Sequence, residues 1–194
     1  MIYFTADTHY GHGDIIPICK RPFKSINEMN KTMIRNYNSV VNEEDTCYFL
    51  GDFVFPQNIE LVKRTLSKLK GTKHLILGNH DNLKPFDYIE YGFTSVHTSF
   101  EIQLSNLKII LVHDPALSCI DRESTFLGGH VHDLFKEMQN FINVGVDVRK
   151  FSPISLTDII IKIHTRRVSL EIDEEADRLA LASIKARKNK GKLL

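Results

Sequence analysis

Cysteine is scarce in this chain of 194 residues: Cys19, Cys47 and Cys119 stand far apart, and none belongs to a CxxC pair. An odd number at such spacing argues against a disulfide framework or a thiolate zinc knot and points to a reducing compartment, so a cytoplasmic location is expected. Long apolar runs are also missing. Ile109–Val112 and Ile159–Ile161 are strand-length or shorter, against the roughly 18–20 residues that span a bilayer. The opening MIYFTADTHYGHGD lacks the basic start of a secretory signal, and no membrane association is expected. There is no internal repeat, low-complexity run or Pro- or Gly-rich linker. Hydrophobic residues at 42% and charged residues at 25% allow a real core, and the length suits one domain or one domain with a small appendage.

The net charge of +1 conceals an asymmetry. Five of the 25 Lys and Arg lie in the last ten residues, KARKNKGKLL from Lys185, so the rest carries 20 basic against 24 acidic residues. A body near −4 is a poor clamp for duplex nucleic acid, whose affinity comes mainly from phosphate contacts, and no strong duplex binding is expected. The tail reads as a solvated end of a helix running from Glu171 to about Lys188, with acids early and bases late as the helix dipole favours.

Strands are expected at Ile2–Ala6, Cys47–Leu50, Leu75–Leu77, Thr94–Thr98, Phe100–Leu104, Lys108–Val112, Phe126–Leu127 and Phe141–Val148. Between the first three lie two helices. Ser25 and Glu28 have capping-box spacing ahead of Met29, Met33, Tyr37 and Val41, and Ile59, Val62, Leu66 and Leu69 mark one face of a helix that stops at Gly71. Pro85–Gly92 carries no clear pattern. The alternation of strands and helices implies an α/β layered core, and the closely spaced later strands suggest an antiparallel part.

Chemistry-bearing side chains stand where strands end. Asp7 and His9 follow the first, Asp52 the second, and Asn79, His80 and Asp81 the third; His113 and the pair His130 and His132 follow later apolar runs. Ligands collect at the carboxyl ends of strands in α/β sheets, where loops converge. Nitrogen and oxygen donors without thiolate suit Mn, Fe, Ni, Zn or Mg. Seven such ligands exceed the three or four that saturate one ion, so two are implied.

In order and context, Asp7-Thr8-His9, Gly51-Asp52, Gly78-Asn79-His80-Asp81, His113 and Gly129-His130-Val131-His132 resemble the signature of the calcineurin-like metallophosphoesterases. Arg21-Pro22-Phe23 and Val144-Gly145-Val146-Asp147-Val148 resemble more weakly a small bacterial and phage branch of that family. The resemblance, carried by residues 7–132, implies a four-layer α/β/β/α sandwich. A catalytic domain is expected over residues 1–168, with a C-terminal helix and basic tail over 169–194 that is part of the same domain or appended to it. The resemblance also implies two divalent ions, manganese being the expected choice in vitro, with Asp7, His9 and His132 on one, Asn79, His113 and His130 on the other, and Asp52 bridging. His80 would face the substrate without binding metal. The implied reaction is hydrolysis of a phosphomonoester or phosphodiester, on a small phosphorylated substrate or nucleotide diester, by in-line attack of a metal-bridging hydroxide.

The residue types suit that chemistry. Asp52 has two oxygens and can touch two ions, whereas Asn79 adds an oxygen donor without further negative charge. His80 can protonate a leaving alkoxide, and the adjacent Asp81 is the expected carboxylate to orient it. His12 and Arg21 are candidate substrate contacts, Phe23 a lid or core aromatic, and His74 a structural residue. Two other readings compete: a catalytically inactive scaffold of the same fold, and a mononuclear iron oxygenase. The scaffold has no need of Asp52 and His80, and the oxygenase would leave half the ligands idle.

Overall fold

The computed structural model describes residues 1–55 and 58–166. The chain divides into two compact units, Met1–Leu156 and Thr157–Leu194. Residues 157–166 of the second are helical, and the expected helix from Glu171 and the basic tail lie outside the described residues. No helix among the described residues is long and apolar enough to cross a membrane.

Among its described residues the first unit contains ten strands: β1 (Ile2–Thr5), β2 (Thr46–Leu50), β3 (Thr72–Ile76), β4 (Ser95–His97), β5 (Phe100–Leu104), β6 (Leu107–Leu111), β7 (Thr125–Gly128), β8 (Glu137–Met138), β9 (Phe141–Asn143) and β10 (Ile154–Ser155). Its helices are α1 (Ile15–Ile18), α2 (Ile26–Val40), α3 (Ile59–Leu66) and α4 (Pro85–Tyr91). One sheet has the order β10-β1-β2-β3-β4 and the other β5-β6-β7-β9-β8, an α/β sandwich with mixed sheets. β1 to β4 are parallel, as strand–helix–strand succession requires.

Alternation along the strands sorts side chains to two faces. On the helix side, Tyr3, Cys47, Phe49 and Leu75 join Met29, Met33 and Tyr37 of α2, Val62 and Leu66 of α3, and Tyr88 of α4 in one core. On the other side, Tyr48 stacks on His74 and meets Phe100 of the second sheet, with centroids 4.8 and 5.5 Å apart. Ser25 caps α2 by accepting the Glu28 N–H, and Asn58 caps α3 by accepting that of Leu61.

Three expectations change. The Pro85–Gly92 stretch is a helix started by Pro85, with only Tyr88 fully buried, too little apolar face to read as a period. The expected strand Phe141–Val148 stops at Asn143, because Val146 N–H turns to the Ala6 carbonyl at 3.0 Å and opens a 3-10 turn over Val146–Val148. The second sheet is not simply antiparallel: only β5–β6 and β8–β9 pair that way, while β6, β7 and β9 run parallel. Ala6, just past β1, bridges Gly145, just past β9, so strand ends of both sheets meet there.

Candidate metal centre

The loops at that meeting point carry the ligand candidates, and they fold together. Ligand atoms of Asp7, His9 and His132 lie within 4.8 Å of one another, as do those of Asp7, Asp52 and His113. Asn79 Oδ1 is 3.0 Å from both His113 Nε2 and His130 Nδ1. All seven metal candidates therefore reach one centre, four from the first sheet and three from the second.

Hydrogen bonds set the orientation of each. His113 Nδ1 lies 2.9 Å from the Leu50 carbonyl, which fixes the proton there and aims Nε2 inward. His132 Nδ1 is held by Asp147 at 2.9 Å, and both Asp7 oxygens accept the His130 N–H, at 2.9 and 3.1 Å. Asp52 turns Oδ1 to the His80 N–H at 2.9 Å and Oδ2 to His9 Nε2 and His113 Nε2, each at 3.4 Å. Both ring nitrogens of His9 are buried and make no hydrogen bond within the protein. Such atoms call for a ligand, and the surrounding carboxylates, amide oxygen and imidazoles are the donor set of a hard or borderline cation. The residues fit the metals that the pattern implies.

The electrostatics of the metal-free centre separate the ligands. Burial lowers His9 to about 3, which keeps the imidazole neutral and able to coordinate. Burial opposes the charge of Asp52, yet hydrogen bonds from His113 and the His80 amide, with the His113 charge, hold it down at about 2. For His113 burial is again opposed, by Asp52 and Asp7, which raise it to about 9, so a cation at this imidazole would displace a proton.

Close packing has a backbone cost. Asp7, His9, Asp52, His130 and His132 all have positive φ, between 46° and 72°. For residues other than glycine each such conformation costs about 1–3 kcal/mol, and clustering of this kind is typical of functional sites. Gly78 and Gly129 answer a different need. A Cβ at Gly129 would fall on the Asp7 carboxylate, and one at Gly78 on Asp52, so these positions are ligand cradles rather than ordinary turns.

Two assignments from sequence change in detail. Asp81 is committed to the backbone: Oδ2 accepts from Asp52 N–H at 2.7 Å and Gly78 N–H at 2.9 Å, and Oδ1 from Phe53 N–H at 3.1 Å. It ties the loops after β2 and β3 together instead of serving as the expected His80 partner; burial raises it to about 6 despite those bonds. Arg21, expected at the substrate, is buried with all five N–H donors engaged inward. Nε and one Nη bind Asp147 at 2.7 and 2.9 Å, and the Nη groups also reach the Asp7 carbonyl at 2.7 Å, the Thr8 carbonyl at 3.1 Å and Met29 Sδ at 3.5 Å. One guanidinium thus braces the backbone of Asp7 and the carboxylate that orients His132.

Asp147, to which sequence reasoning gave no role, holds His132 and pairs with Arg21. Cys19 also lies near His132 and Asp147, but Arg21 occupies both Asp147 oxygens and leaves that grouping unsuited to a cation. Phe23 packs on Phe151 at 4.7 Å and belongs to the core. His74 shares Ser95 with His97, at 2.6 and 2.7 Å, between β3 and β4 and away from the centre. His80 and His12 flank His9, with ring centroids 5.3 and 5.4 Å away, and both contact Phe55.

Arg21→Lys keeps the charge but loses the fork that grips Asp147. We expect metal affinity to fall about 10–100-fold, read by calorimetric titration of the metal-free chain. Affinity equal to wild type would show that the Arg21–Asp147 pair serves folding alone.

An α/β sandwich with carboxylate and imidazole clusters at the strand ends is the build of a metal-dependent hydrolase. Residues 1–164 match the calcineurin-like phosphoesterase family, and the chain belongs to it. The clusters of His and Asp fit the dinuclear metal site typical of that family. The uncharacterized protein MJ1445 of Methanocaldococcus jannaschii is 35% identical over 172 residues, covering 84% of this chain and 90% of its own. The gene 66 protein of Mycobacterium phage L5 is 32% identical over 87 residues, covering 44% of this chain and 42% of its own. A crystal structure of the protein of unknown function AQ665 from Aquifex aeolicus superposes with a TM-score of 0.67 at 28% identity, over 82% of this chain and 97% of that one.

Proposed function

We propose that this chain hydrolyses phosphate esters at a centre of two divalent cations. Asp7, His9 and His132 would hold one ion, Asn79, His113 and His130 the other, with Asp52 between them. The observation that carries the reading is the placement of Asp52 Oδ2, 3.4 Å from an imidazole nitrogen of each ligand set. Bound divalent ions would supply a nucleophilic water of lowered pKa and neutralise charge on the phosphoryl oxygens.

The chain's own residues do the rest. Asp147 and the Leu50 carbonyl hold Nδ1 of His132 and His113 and turn the Nε2 atoms to the centre, where a cation would take the place of a proton. Asn79 contributes an oxygen without charge, which leaves the centre attractive to an anion. His80, half-buried beside His9, is positioned to give a proton to the departing oxygen.

The test is to strip the purified chain with a chelator, reload it with Mn²⁺, and count bound ions. It is then assayed on phosphomonoesters, linear and cyclic nucleotide diesters and a diphosphate. Two ions per chain and hydrolysis that disappears on chelation are expected. One ion at saturation would overturn the two-cation arrangement, and two ions without turnover of any ester would make the chain a metal-binding scaffold.

A further inference from the structure

The loop that follows His9 is built with more restraint than a solvated turn requires. Tyr10 donates to the Phe53 carbonyl and accepts from the Phe55 N–H, both at 3.0 Å, so residues 10 and 53–55 run as a short parallel bridge. Gly11 sits at φ 89°, where a Cβ would strike Leu61 and crowd the Phe55 carbonyl, and its N–H is held by Asn30 Oδ1 at 3.2 Å. His12 N–H closes back on the His9 carbonyl at 3.0 Å. Together these contacts fix the His12 ring 4.4 Å from Phe55 and 5.4 Å from His9.

His12 Nδ1 is buried without a partner. A buried N–H left orphaned is rarer than a buried lone pair, so the ring proton belongs on Nε2, which makes His12 a fixed donor. His80 touches the same phenyl ring, 4.9 Å away. The mouth beside His9 therefore presents two imidazoles around one half-buried aromatic face. Arg21, whose charge reaches both His9 and His12, points its five donors into the protein.

A monoester dianion has a third charged terminal oxygen that calls for a free cation. A diester monoanion has instead a second substituent that calls for apolar surface and a neutral donor. We propose that His12 and Phe55 bind the retained substituent of a phosphodiester, His12 donating from Nε2 to an oxygen of that substituent and Phe55 packing against it. This rests on the phosphoesterase reading above and makes the site selective for diesters, with His80 left to serve the departing group.

The experiment uses the Mn²⁺-loaded full chain, with bis(4-nitrophenyl) phosphate and 4-nitrophenyl phosphate as probes. Wild type should prefer the diester. His12→Ala should lower kcat/KM on the diester about 10-fold, the size of a lost hydrogen bond between neutral groups, mostly through KM. Turnover of the monoester should change less than about 3-fold, with two ions still bound. Phe55→Leu, which keeps an apolar side chain, should weaken the bis-aryl diester more than methyl 4-nitrophenyl phosphate. Equal losses on monoester and diester in His12→Ala, or a wild type that prefers monoesters, would overturn the proposal while leaving the phosphoesterase reading intact. A loaded wild type inactive on both probes and on the wider ester panel would remove the phosphoesterase reading itself. Loss of an ion in His12→Ala would overturn the substrate role and place His12 in support of the metals.

Discussion

Asp52→Asn should lower kcat/KM for alkyl and aryl phosphodiesters alike by about 10³-fold or more, the scale of losing several kcal/mol of metal-borne transition-state stabilisation. The geometry says how. Asp52 Oδ1 accepts the His80 N–H at 2.9 Å, so an asparagine at this position must turn its carbonyl oxygen there. Its NH2 group then lies where Oδ2 was, 3.4 Å from His9 Nε2 and His113 Nε2. A neutral amide neither pairs with a charged His113 nor offers an anionic oxygen to a cation. The variant should bind fewer than two ions at saturation and, having lost the Asp52–His113 pair, melt lower than the wild type in the metal-free state. Elemental analysis with calorimetry of the same samples checks both statements. Two ions held at wild-type affinity would show that Asp52 does not bridge.

Removing the His80 imidazole should act differently. In His80→Ala the backbone N–H that supports Asp52 remains, so both metals should stay bound. Hydrolysis of an alkyl phosphodiester should slow about 10²–10⁴-fold, the usual contribution of a general acid. With a nitrophenyl leaving group, already stable as an anion, the loss should be clearly smaller. The check is kcat/KM for both esters with metal content measured alongside. An equal loss for good and poor leaving groups, with two ions present, would make His80 a charge-stabilising contact rather than a proton donor.

The metal candidates were legible because each occupies the first residues after a short apolar strand, where hydrophobic pattern and chemistry change together. Asp7 after Ile2–Thr5 and Asp52 after Thr46–Leu50 are the clearest cases. What surrounds them was less legible, because burial of a charge leaves no mark on the sequence. Arg21 reads as a candidate substrate contact, yet it is enclosed by partners up to 126 residues away. Asp147 lies in an alternating apolar stretch that mimics a strand, and only the Ala6–Val146 contact turns it toward His132. For Asp81, adjacency to His80 suggested a partner in the wrong direction, since the loop carries its carboxylate back to three amides. The two-residue strands β8 and β10 are too short for any periodicity to register.

The division of ligands between the sheets has a consequence for how the molecule comes apart. Asp7, His9, Asp52 and Asn79 leave one sheet and His113, His130 and His132 the other, while the Ala6–Gly145 bridge joins the strand ends directly. Coordinated ions would therefore cross-link halves of the sandwich that are distant in sequence. The Ala6–Gly145 bridge and the Arg21–Asp147 pair already join the sheets, and bound ions would raise further the cost of opening either one alone. Ligands that bind only the folded state add stability in proportion to the logarithm of their concentration. Metal supply in the cell would then set how long this protein survives proteolysis as well as whether it turns over.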